Sequence, residues 1–544
     1  MSQPAQISRT STTKTSRFSS PRQSIEPFLV TAAQMQAVES RLFEGGMPVA
    51  ALMEKVSARL VDWFVARYSA SGKTSDSVQS TTGTIGVLAG PGHNGGDALV
   101  VARELHHRGF SVCIYQPFFQ CKHLTQQHAR YAQKLAIPFV SSIQALSQCD
   151  AIIDGWFGFG LTRPITDNLA ADIEQLNQQP VPVFSIDLPS GIHTDTGQVM
   201  GIAVKADYTA CLGLWKRAFM QESAIAYLGT CDLIDFDIPL SDIKTVLGET
   251  PTARRITRRQ ALAALPLHRA PTAHKYTAGH LLLVAGSRQY AGAALLSGLG
   301  AIASGVGMLT LAVPDTLRLA LLPQLPGALL LGCAETTEGA IARFPDTLDL
   351  EKYDAIAFGP GLTSTVPDLL TAALSASCPL LLDADGLNLL AQGNPAKQLQ
   401  ARPAFTALTP HLGEFKRLFP DIYAQQADRT LPGEIASKAA AASGATVLLK
   451  GPRSAIAAGQ TLWFNPVSTA ALARGGSGDV LTGLAGGLIA TAARTGTDLT
   501  AALTGAVWWH SRAARHLSGQ RTLLGVDPLQ LAQHLNPALQ AMMQ

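Results

Sequence analysis

Gly475-Gly476-Ser477-Gly478-Asp479-Val480-Leu481-Thr482-Gly483 is the stretch that decides how the second half of this chain is interpreted. Its glycines allow backbone N–H groups to approach an anion closely, and the helix that begins here adds positive partial charge. A carboxylate at this point would repel a phosphate, unless it takes a proton from an attacking hydroxyl while the N–H groups stabilise the phosphoryl oxygens. The stretch therefore predicts an α/β enzyme that transfers a phosphoryl group. The alternative is that Asp479 only caps a helix.

Short apolar runs that alternate with helical segments surround this stretch, which predicts a parallel sheet with helices on both faces. Loops follow several of these runs, at the strand ends where ligands bind in such sheets. No G-x-x-x-x-G-K-[ST] motif occurs, so a P-loop enzyme is excluded. The small residues of 291–305 predict a helix packed closely on the sheet, and His510 is interpreted as a packed helix residue. The predicted strands are His280–Ala285, Met308–Val313, Asp354–Phe358, Leu380–Asp383, Ala404–Thr409 and Thr446–Leu449.

The first half has the same alternation, and three of its loops follow predicted strands. These loops are Gly90 to Leu99, Asp154 to Arg163 and Asp187 to Gly191. Because parallel strands end at one edge of a sheet, the three loops can converge on one crevice. Asn94, Asp154 and Ser190 offer hard oxygen ligands suited to a cation. The predicted strands are Thr84–Ala89, Ser111–Tyr115, Ala151–Asp154 and Val183–Asp187.

The length of 544 residues predicts at least two domains, and the net charge of +3 gives no reason to expect nucleic acid or an acidic membrane. Seven scattered cysteines indicate reduced thiols in a cytoplasm. The first 25 residues lack acidic residues, which can indicate a transit peptide; we favour a disordered tail. The predicted division is a tail at 1–27, a domain at 28–240, a linker at 241–262 that contains a basic cluster, and a domain at 263–544.

Five segments of the second half resemble the carbohydrate-kinase-like dehydratases of NAD(P)H hydrates, which have a ribokinase-like fold. The segments are Gly286 to Leu295, Phe358 to Leu362, Leu382 to Asn388, Thr409 to Leu418 and Gly475 to Gly483. The resemblance implies that NADH or NADPH hydrated at C6 of the nicotinamide ring is dehydrated with ADP, as in bacterial enzymes, or with ATP, as in eukaryotic ones, together with Mg²⁺. The fused arrangement of two domains favours ADP. It implies that Asp479 is the catalytic base. It places the hydrate on Ala294 (or Ala293), Gly361, His411 and Asp479, and the nucleotide on Lys450, Gly451, Pro452, Arg453, Ser454 and Gly478.

Residues 28–240 resemble the NAD(P)H-hydrate epimerase domain, which interconverts the R and S hydrates at C6. The resemblance implies a K⁺ site at Asn94, Asp154 and Ser190, and Asp187 is the candidate proton-transfer group. Three positions depart from the family pattern: His93 stands where an asparagine is usual, Ala98 where a glycine is usual, and Phe159 where threonine is common. Phe159 removes a hydroxyl and adds bulk. The implied contacts of the hydrate are Asn94, Gly95, Gly96, Asp97, Ala98, Gly158, Phe159, Gly160, Leu161, Thr162, Arg163, Pro164 and Asp187.

The sequence thus predicts two doubly wound α/β sheets, an N-terminal Rossmann-like epimerase domain and a C-terminal ribokinase-like dehydratase domain. The expected substrates are the small molecules NADHX and NADPHX, and the expected assembly is a homo-oligomer without nucleic acid or membrane. Two alternatives remain open. One is a ribokinase-like kinase of a vitamin or sugar with an accessory domain. The other is an N-terminal domain that serves as a non-catalytic scaffold, as epimerase-like domains do in RNA-decay proteins.

Overall fold

The computed structural model of the protein describes residues 21–70, 83–363, 366–425, 431–467 and 469–544. Residues 1–20 of the predicted tail lie outside the described residues. The end of that tail is corrected to ordered chain, because Ile25 is fully buried and Arg22 forms an ion pair with Asp235 (Nε–Oδ2 2.6 Å). The chain forms two compact units, one mainly of residues up to Glu249 and the other mainly of Thr250–Gln544.

The first unit contains a seven-stranded sheet in the order β4-β3-β2-β5-β6-β7-β9, in which every pair of neighbours is parallel. The four predicted strands are confirmed, and three further parallel strands, β4, β7 and β9, extend the sheet. The strands of this half are β1 (Leu29–Val30), β2 (Thr84–Ala89), β3 (Ser111–Tyr115), β4 (Phe139–Val140), β5 (Ala151–Gly155), β6 (Val183–Ile186), β7 (Tyr208–Leu212), β8 (Trp215–Lys216) and β9 (Thr230–Ile234). Its helices are α1 (Ala32–Glu44), α2 (Val49–Ala70), α3 (His93–His107), α4 (His123–Lys134), α5 (Asp167–Gln178), α6 (Ile225–Leu228) and α7 (Leu240–Leu247).

The second unit contains an eleven-stranded sheet in the order β10-β20-β19-β18-β17-β16-β15-β11-β12-β13-β14. Its strands are β10 (Ala253–Arg255), β11 (His280–Val284), β12 (Met308–Pro314), β13 (Leu329–Glu335), β14 (Ile341–Arg343), β15 (Ala355–Phe358), β16 (Leu380–Leu382), β17 (Thr406–Leu408), β18 (Thr446–Leu449), β19 (Ala455–Ala458) and β20 (Thr461–Phe464). Its helices are α8 (Arg258–Ala263), α9 (Ala291–Ala303), α10 (Arg318–Leu321), α11 (Pro367–Ser375), α12 (Asp385–Leu390), α13 (Pro395–Gln400), α14 (Leu412–Leu418), α15 (Pro420–Ala424), α16 (Pro432–Ser443), α17 (Ser477–Thr495), α18 (Leu499–Gln520) and α19 (Pro528–Met543).

The α/β class with two sheets is confirmed, but the second sheet is mixed and not purely parallel. The pairs β18–β19, β19–β20 and β13–β14 are antiparallel. The turn at Lys450–Ser454 therefore joins two antiparallel neighbours and does not lead into a helix. The central strands are nevertheless parallel and buried on both faces, as the continuous leucine run of β11 requires.

The predicted linker at 241–262 consists largely of regular structure. Its first residues belong to α7, and β10 pairs in parallel with β20 at the edge of the second sheet. Thr257 then begins α8 with a capping box formed with Gln260. The basic cluster is accordingly shared between a strand and a helix: Arg254 and Arg255 lie in β10, whereas Arg258 and Arg259 are exposed on α8.

Helices α9 and α17 pack against each other at backbone distance. A Cβ atom on Gly483 would lie 1.8 Å from the Ser297 carbonyl oxygen, and one on Gly300 would lie 2.2 Å from the Val480 carbonyl oxygen. The small residues of 291–305 therefore serve a helix–helix contact, and not only the packing on the sheet that the sequence predicted. This contact fixes the N-terminal part of α17 against α9.

We expect Gly483→Ala to destabilise the protein, although alanine is the better helix former by about 1 kcal/mol. The added methyl group meets backbone, which cannot rotate away, so an overpacking cost of roughly 1–3 kcal/mol or more outweighs the gain in helix propensity. The midpoint of thermal unfolding should fall by several degrees. Gly292→Ala is the matched control, because a Cβ atom there has no neighbour within 4 Å. Equal midpoints for the two variants would contradict the close contact.

Candidate active sites

The glycine turn before α17 holds Asp479 at the beginning of that helix. Gly476 precedes the helix with φ +95°, a left-handed conformation that favours glycine. The N–H groups of Gly478 and Asp479 lie in the first turn, where they have no carbonyl acceptor within the helix. The half-buried Asp479 carboxylate accepts no hydrogen bond from any residue that the structure describes. The capping alternative is therefore not supported by the geometry.

A buried ion pair lies directly beneath this turn. Asp383 follows β16 and is 2% exposed, and its Oδ1 accepts a hydrogen bond from Lys450 Nζ at 2.6 Å. Its Oδ2 accepts one from the Thr482 hydroxyl at 2.6 Å. A Cβ atom on Gly478 would lie 3.6 Å from Lys450 Nζ and 3.9 Å from Asp383 Oδ2. The Lys450 ammonium therefore stands under the N–H groups that would receive an anion.

The charges of this site are set by burial and by one another. Burial and the neighbouring Asp383 together raise the pKa of Asp479 to about 7, although Lys450 opposes both. Burial acts against the charge on Asp383 as well, but Lys450 and Thr482 hold the pKa of that carboxyl below its ordinary value. Asp383 thus stays ionised, whereas Asp479 exchanges a proton near neutral pH. Acid–base catalysis uses pairs of acids that differ in this way.

His411 lies beside Lys450, since the two residues form a parallel bridge that prolongs β17 and β18. Its Nδ1 accepts hydrogen bonds from the backbone N–H groups of Gly413 (2.9 Å) and Glu414 (3.3 Å) at the start of α14. Nδ1 is therefore unprotonated, and Nε2 carries the proton on a side chain that is 57% exposed. His411 combines a capping role with a donor that a ligand can reach.

The remaining predicted residues of this half differ in what they can contact. A Cβ atom on Gly361 would lie 2.9 Å from the Ala293 methyl group, whereas Ala294 is fully buried. Of the two alternatives, Ala293 is therefore the side chain that a ligand beside Gly361 can touch. Arg453 donates a hydrogen bond to the Pro466 carbonyl oxygen at 2.5 Å. The turn itself is closed by the Ser454 hydroxyl, which donates to the Gly451 carbonyl oxygen at 3.1 Å.

His510 is buried, as the sequence predicted, and it contacts the same turn. Burial lowers the pKa of His510 to about 4, so the imidazole is neutral. Its Nε2 lies 3.0 Å from the Ser477 carbonyl oxygen, so this nitrogen must be the protonated one that donates. His510 is a packed residue that supports the first residue of α17.

The first unit has its own buried ion pair at a strand end. Asp187 follows β6 with φ +69°, a strained conformation for a residue other than glycine, and it is 2% exposed. Its Oδ1 accepts a hydrogen bond from the fully buried Lys216. Its Oδ2 accepts one from the Phe159 backbone N–H at 2.9 Å, and a Cβ atom on Gly158 would lie 2.9 Å from the same oxygen. Asp187 and the 158–159 turn therefore meet, as the sequence predicted.

Lys216 was not predicted from the sequence. Burial acts to lower the pKa of its ammonium, but the Asp187 carboxylate raises that pKa above the ordinary value. The signal was present: a lysine inside the apolar run Leu212 to Phe219 has to find a buried partner. The Phe159 ring lies 5.7 Å from Lys216 Nζ, so the unusual aromatic residue covers the cation.

Two further acids stand close to this pair. Burial raises the pKa of Glu39 to about 7, with Lys216 opposing the shift and Asp187 adding to it. Burial, Glu39 and Asp187 raise the pKa of Asp97 well above its ordinary value. Glu39 was not predicted as a site residue, because a single glutamate on the amphipathic helix α1 carries no distinguishing pattern.

Of the predicted cation ligands, Asp154 lies at the end of β5, Asn94 at the start of α3, and Ser190 in the loop after β6. Asp154 is fully buried, and its oxygens accept hydrogen bonds from the hydroxyls of Ser190 (2.6 Å) and Ser185 (2.8 Å). Among the described residues it has no lysine or arginine partner. Burial raises the pKa of Asp154, and the Ser190 hydroxyl opposes that shift. A buried carboxylate that lacks a cationic side chain fits a bound monovalent cation.

Several predicted contact residues pack against the protein itself. A Cβ atom on Gly95 would lie 2.0 Å from the Gly90 carbonyl oxygen, and one on Gly96 would lie 2.6 Å from the methyl carbon of Met53. Leu161 belongs to the hydrophobic core. These three residues have a packing role, and their contact with the hydrate stays a prediction, whereas the neighbouring Thr162, Arg163 and Pro164 are exposed.

Comparison with known proteins follows the same division of the chain. The NAD(P)H-hydrate dehydratase family matches residues 281–537, and the family described as YjeF-related protein N-terminus matches residues 49–218. The chain is 50% identical to a bifunctional NAD(P)H-hydrate repair enzyme of Thermosynechococcus vestitus, over 94% of this chain and 97% of that protein. It is 51% identical to the enzyme of the same name from Synechocystis, over 94% of both.

A solved structure also resembles the second half. It is an ADP/ATP-dependent NAD(P)H-hydrate dehydratase from Bacillus subtilis, co-crystallised with ATP and Mg²⁺, which is 33% identical. The match covers 53% of this chain and 97% of that one, with a TM-score of 0.44. No helix in the described part of the chain is long and apolar enough to cross a membrane. The described residues contain no group of three or more His, Cys, Asp and Glu side chains that could hold a metal ion.

Proposed function

The chain belongs to the family of bifunctional NAD(P)H-hydrate repair enzymes, and from this premise we propose which residues carry its two reactions. The N-terminal domain epimerises the R and S hydrates of NADH and NADPH at C6. The C-terminal domain dehydrates the S form to NAD(P)H, with ADP as the phosphoryl donor and AMP and phosphate as products. The observation that carries this assignment is the Asp479 carboxylate, without a hydrogen-bond partner among the described residues, beside free N–H groups and above a buried lysine.

Dehydration begins with the C6 hydroxyl, because hydroxide is a poor leaving group. Asp479 takes the hydroxyl proton while the oxygen attacks the β-phosphorus of ADP, and the bond from that phosphorus to the oxygen bridging to AMP breaks. The N–H groups of Gly478 and Asp479, with Lys450 below them, stabilise the charge on the phosphoryl oxygens. The C6–O bond then breaks with loss of phosphate, and loss of a proton from C5 leaves the C5–C6 double bond of NAD(P)H.

The nucleotide is assigned to Lys450, Gly478 and the turn that ends at Ser454. Mg²⁺ would accompany the polyphosphate and neutralise part of its charge. His411 offers its Nε2 proton to the hydrate, and Ala293 with Gly361 borders the nicotinamide.

Epimerisation is assigned to the crevice around Asp187. Opening and reclosing the C6 centre needs proton transfer, and Asp187 is held in the crevice by its hydrogen bond from Lys216. Asn94, Asp154 and Ser190 would hold K⁺, which would supply the positive charge that the buried Asp154 lacks. We retain the expectation of a homo-oligomer.

We expect kcat/KM for dehydration to rise with pH through an apparent pKa near 7. Asp479 must be ionised to act as base, and its raised pKa of about 7 means that it is mostly protonated at pH 6. Below the midpoint, kcat/KM should therefore fall roughly tenfold for each pH unit. Initial rates at low substrate concentration between pH 5 and 8 measure it. A flat profile down to pH 5 would contradict the role of Asp479 as the titrating base.

The direct test of the function is incubation with hydrated NADH and ADP, followed at the nicotinamide absorbance band. The repair enzyme restores the absorbance and releases inorganic phosphate. A ribokinase-like kinase of a small alcohol would leave the absorbance unchanged and accumulate a stable phosphate ester. Consumption of the R as well as the S hydrate, faster than spontaneous epimerisation, separates an active epimerase from a scaffold.

A further inference from the structure

The proposed chemistry uses Lys450 and Asp479 but leaves Asp383 without a role. Asp383 is 2% exposed, and a carboxylate buried to this extent costs free energy unless its environment compensates for it. Here both oxygens are engaged, one by Lys450 and the other by the Thr482 hydroxyl. A buried ion pair adds little to the stability of a protein on its own. The role of this pair must therefore follow from its position in the site.

The position is specific. Lys450 follows β18 and Asp383 follows β16, with β17 between the two strands. Thr482 lies on α17 one turn after Gly478, and its hydroxyl oxygen is also 3.1 Å from the Gly478 carbonyl oxygen. Asp383 therefore connects the lysine to the helix that carries Asp479, and it fixes the ammonium 3.6 Å from the Cβ position of Gly478.

We propose that Asp383 is a positioning residue of the dehydration, which holds the Lys450 ammonium beneath the glycine turn and sets a second negative charge beside Asp479. This inference rests on the proposed function. Without Asp383, the flexible lysine side chain would be free to move toward the nucleotide or toward Asp479. With Asp383 in place, the Lys450 ammonium interacts both with the anion above it and with the Asp383 carboxylate beside it.

The two partners act on Asp479 in opposite directions. Asp383 disfavours the ionised base and Lys450 favours it. The other charged groups that face this cluster are Asp385, which acts on Asp479 in the same sense as Asp383, and Glu414, which acts on Lys450. Removing Asp383 should therefore lower the pKa of Asp479, and removing Lys450 should raise it.

The experiment compares the acidic limb of kcat/KM in Asp383→Asn and Lys450→Met with that of the wild type. We expect the midpoint to fall by about one pH unit in Asp383→Asn and to rise by a similar amount in Lys450→Met. In both variants the KM for ADP should rise, because the ammonium is misplaced or absent. Thr482→Val is the matched control: it removes a hydrogen bond from the same carboxylate without changing any charge, so its midpoint should equal that of the wild type.

Midpoints that stay at the wild-type value, or that move in the same direction in both variants, would overturn the proposal. So would a Thr482→Val midpoint displaced as far as that of Asp383→Asn. If Asp383→Asn does not fold, judged by circular dichroism, the double variant Asp383→Asn/Lys450→Met replaces it, and its midpoint must lie below that of Lys450→Met alone. A wild-type enzyme that fails to restore NADH would refute the proposed function instead, so the two failures are distinguishable.

Discussion

Asp479→Asn should lower kcat for the dehydration by about 10³-fold or more, which is the effect of losing a positioned general base together with its charge. Asparagine keeps the shape of the side chain and can still stand at the start of α17, but it cannot take the proton of the C6 hydroxyl. The KM for ADP and the binding of AMP should change little. The measurement is single-turnover conversion of S-NADHX, with nucleotide binding followed by calorimetry.

Asp498→Asn is the matched control for this prediction. Asp498 caps α18 by accepting hydrogen bonds from the N–H groups of Thr500 (2.8 Å) and Ala501 (3.1 Å), so it has the role that the capping alternative gives to Asp479. The same substitution there should leave dehydration unchanged, since asparagine caps a helix as well as aspartate. Comparable rates for the two variants, or wild-type turnover in Asp479→Asn, would show that Asp479 is not the base.

The sequence predicted elements whose signals are local. Strands buried on both faces appear as short apolar runs, and all ten predicted strands are present with ends that differ by at most two residues. The turn at Gly475–Asp479 was recognised because three glycines, an acid and a helix lie within one short segment. The three strand-end loops of the first half could be brought together because parallel strands end at the same edge of a sheet.

Contacts between distant segments could not be predicted in the same way. Asp383 and Lys450 are far apart in sequence, so neither segment alone indicates that the two residues form an ion pair. Asp187 was predicted, but its partner Lys216 was not, because the partner of a buried lysine depends on which strands become neighbours. Leu161 was placed on the ligand because it lies inside a motif, whereas packing turns its side chain into the core.

The predicted sites of the two domains contain the same kind of ion pair. In each, an aspartate at a strand end pairs with a buried lysine from a later part of the chain, Asp187 with Lys216 and Asp383 with Lys450. In the first unit the aspartate faces the 158–159 turn, whereas in the second the lysine faces the glycine turn. The same pair therefore presents a negative charge at one site and a positive charge at the other, which fits proton transfer in the first and phosphoryl transfer in the second.

Asp187→Ala should abolish epimerisation and also destabilise the N-terminal domain by roughly 3–5 kcal/mol, because it leaves the ammonium of a fully buried lysine without a counter-ion. The variant should still dehydrate S-NADHX with ADP, since Asp479 lies in the other domain, but it should leave the R hydrate to spontaneous epimerisation. Chromatographic separation of the two hydrates over time measures the first effect, and denaturant unfolding measures the second.

Asp242→Ala provides the comparison for stability, because the ion pair of Asp242 with Arg41 is partly exposed, with side chains 19% and 42% accessible. Removing such a pair should cost no more than about 1 kcal/mol. The double variant Asp187→Ala/Lys216→Met removes both charges of the buried pair and should recover much of the stability without recovering epimerisation. Restored epimerisation in the double variant would mean that Asp187 acts only by neutralising Lys216, and an R hydrate consumed at the wild-type rate in the single variant would exclude Asp187 from proton transfer.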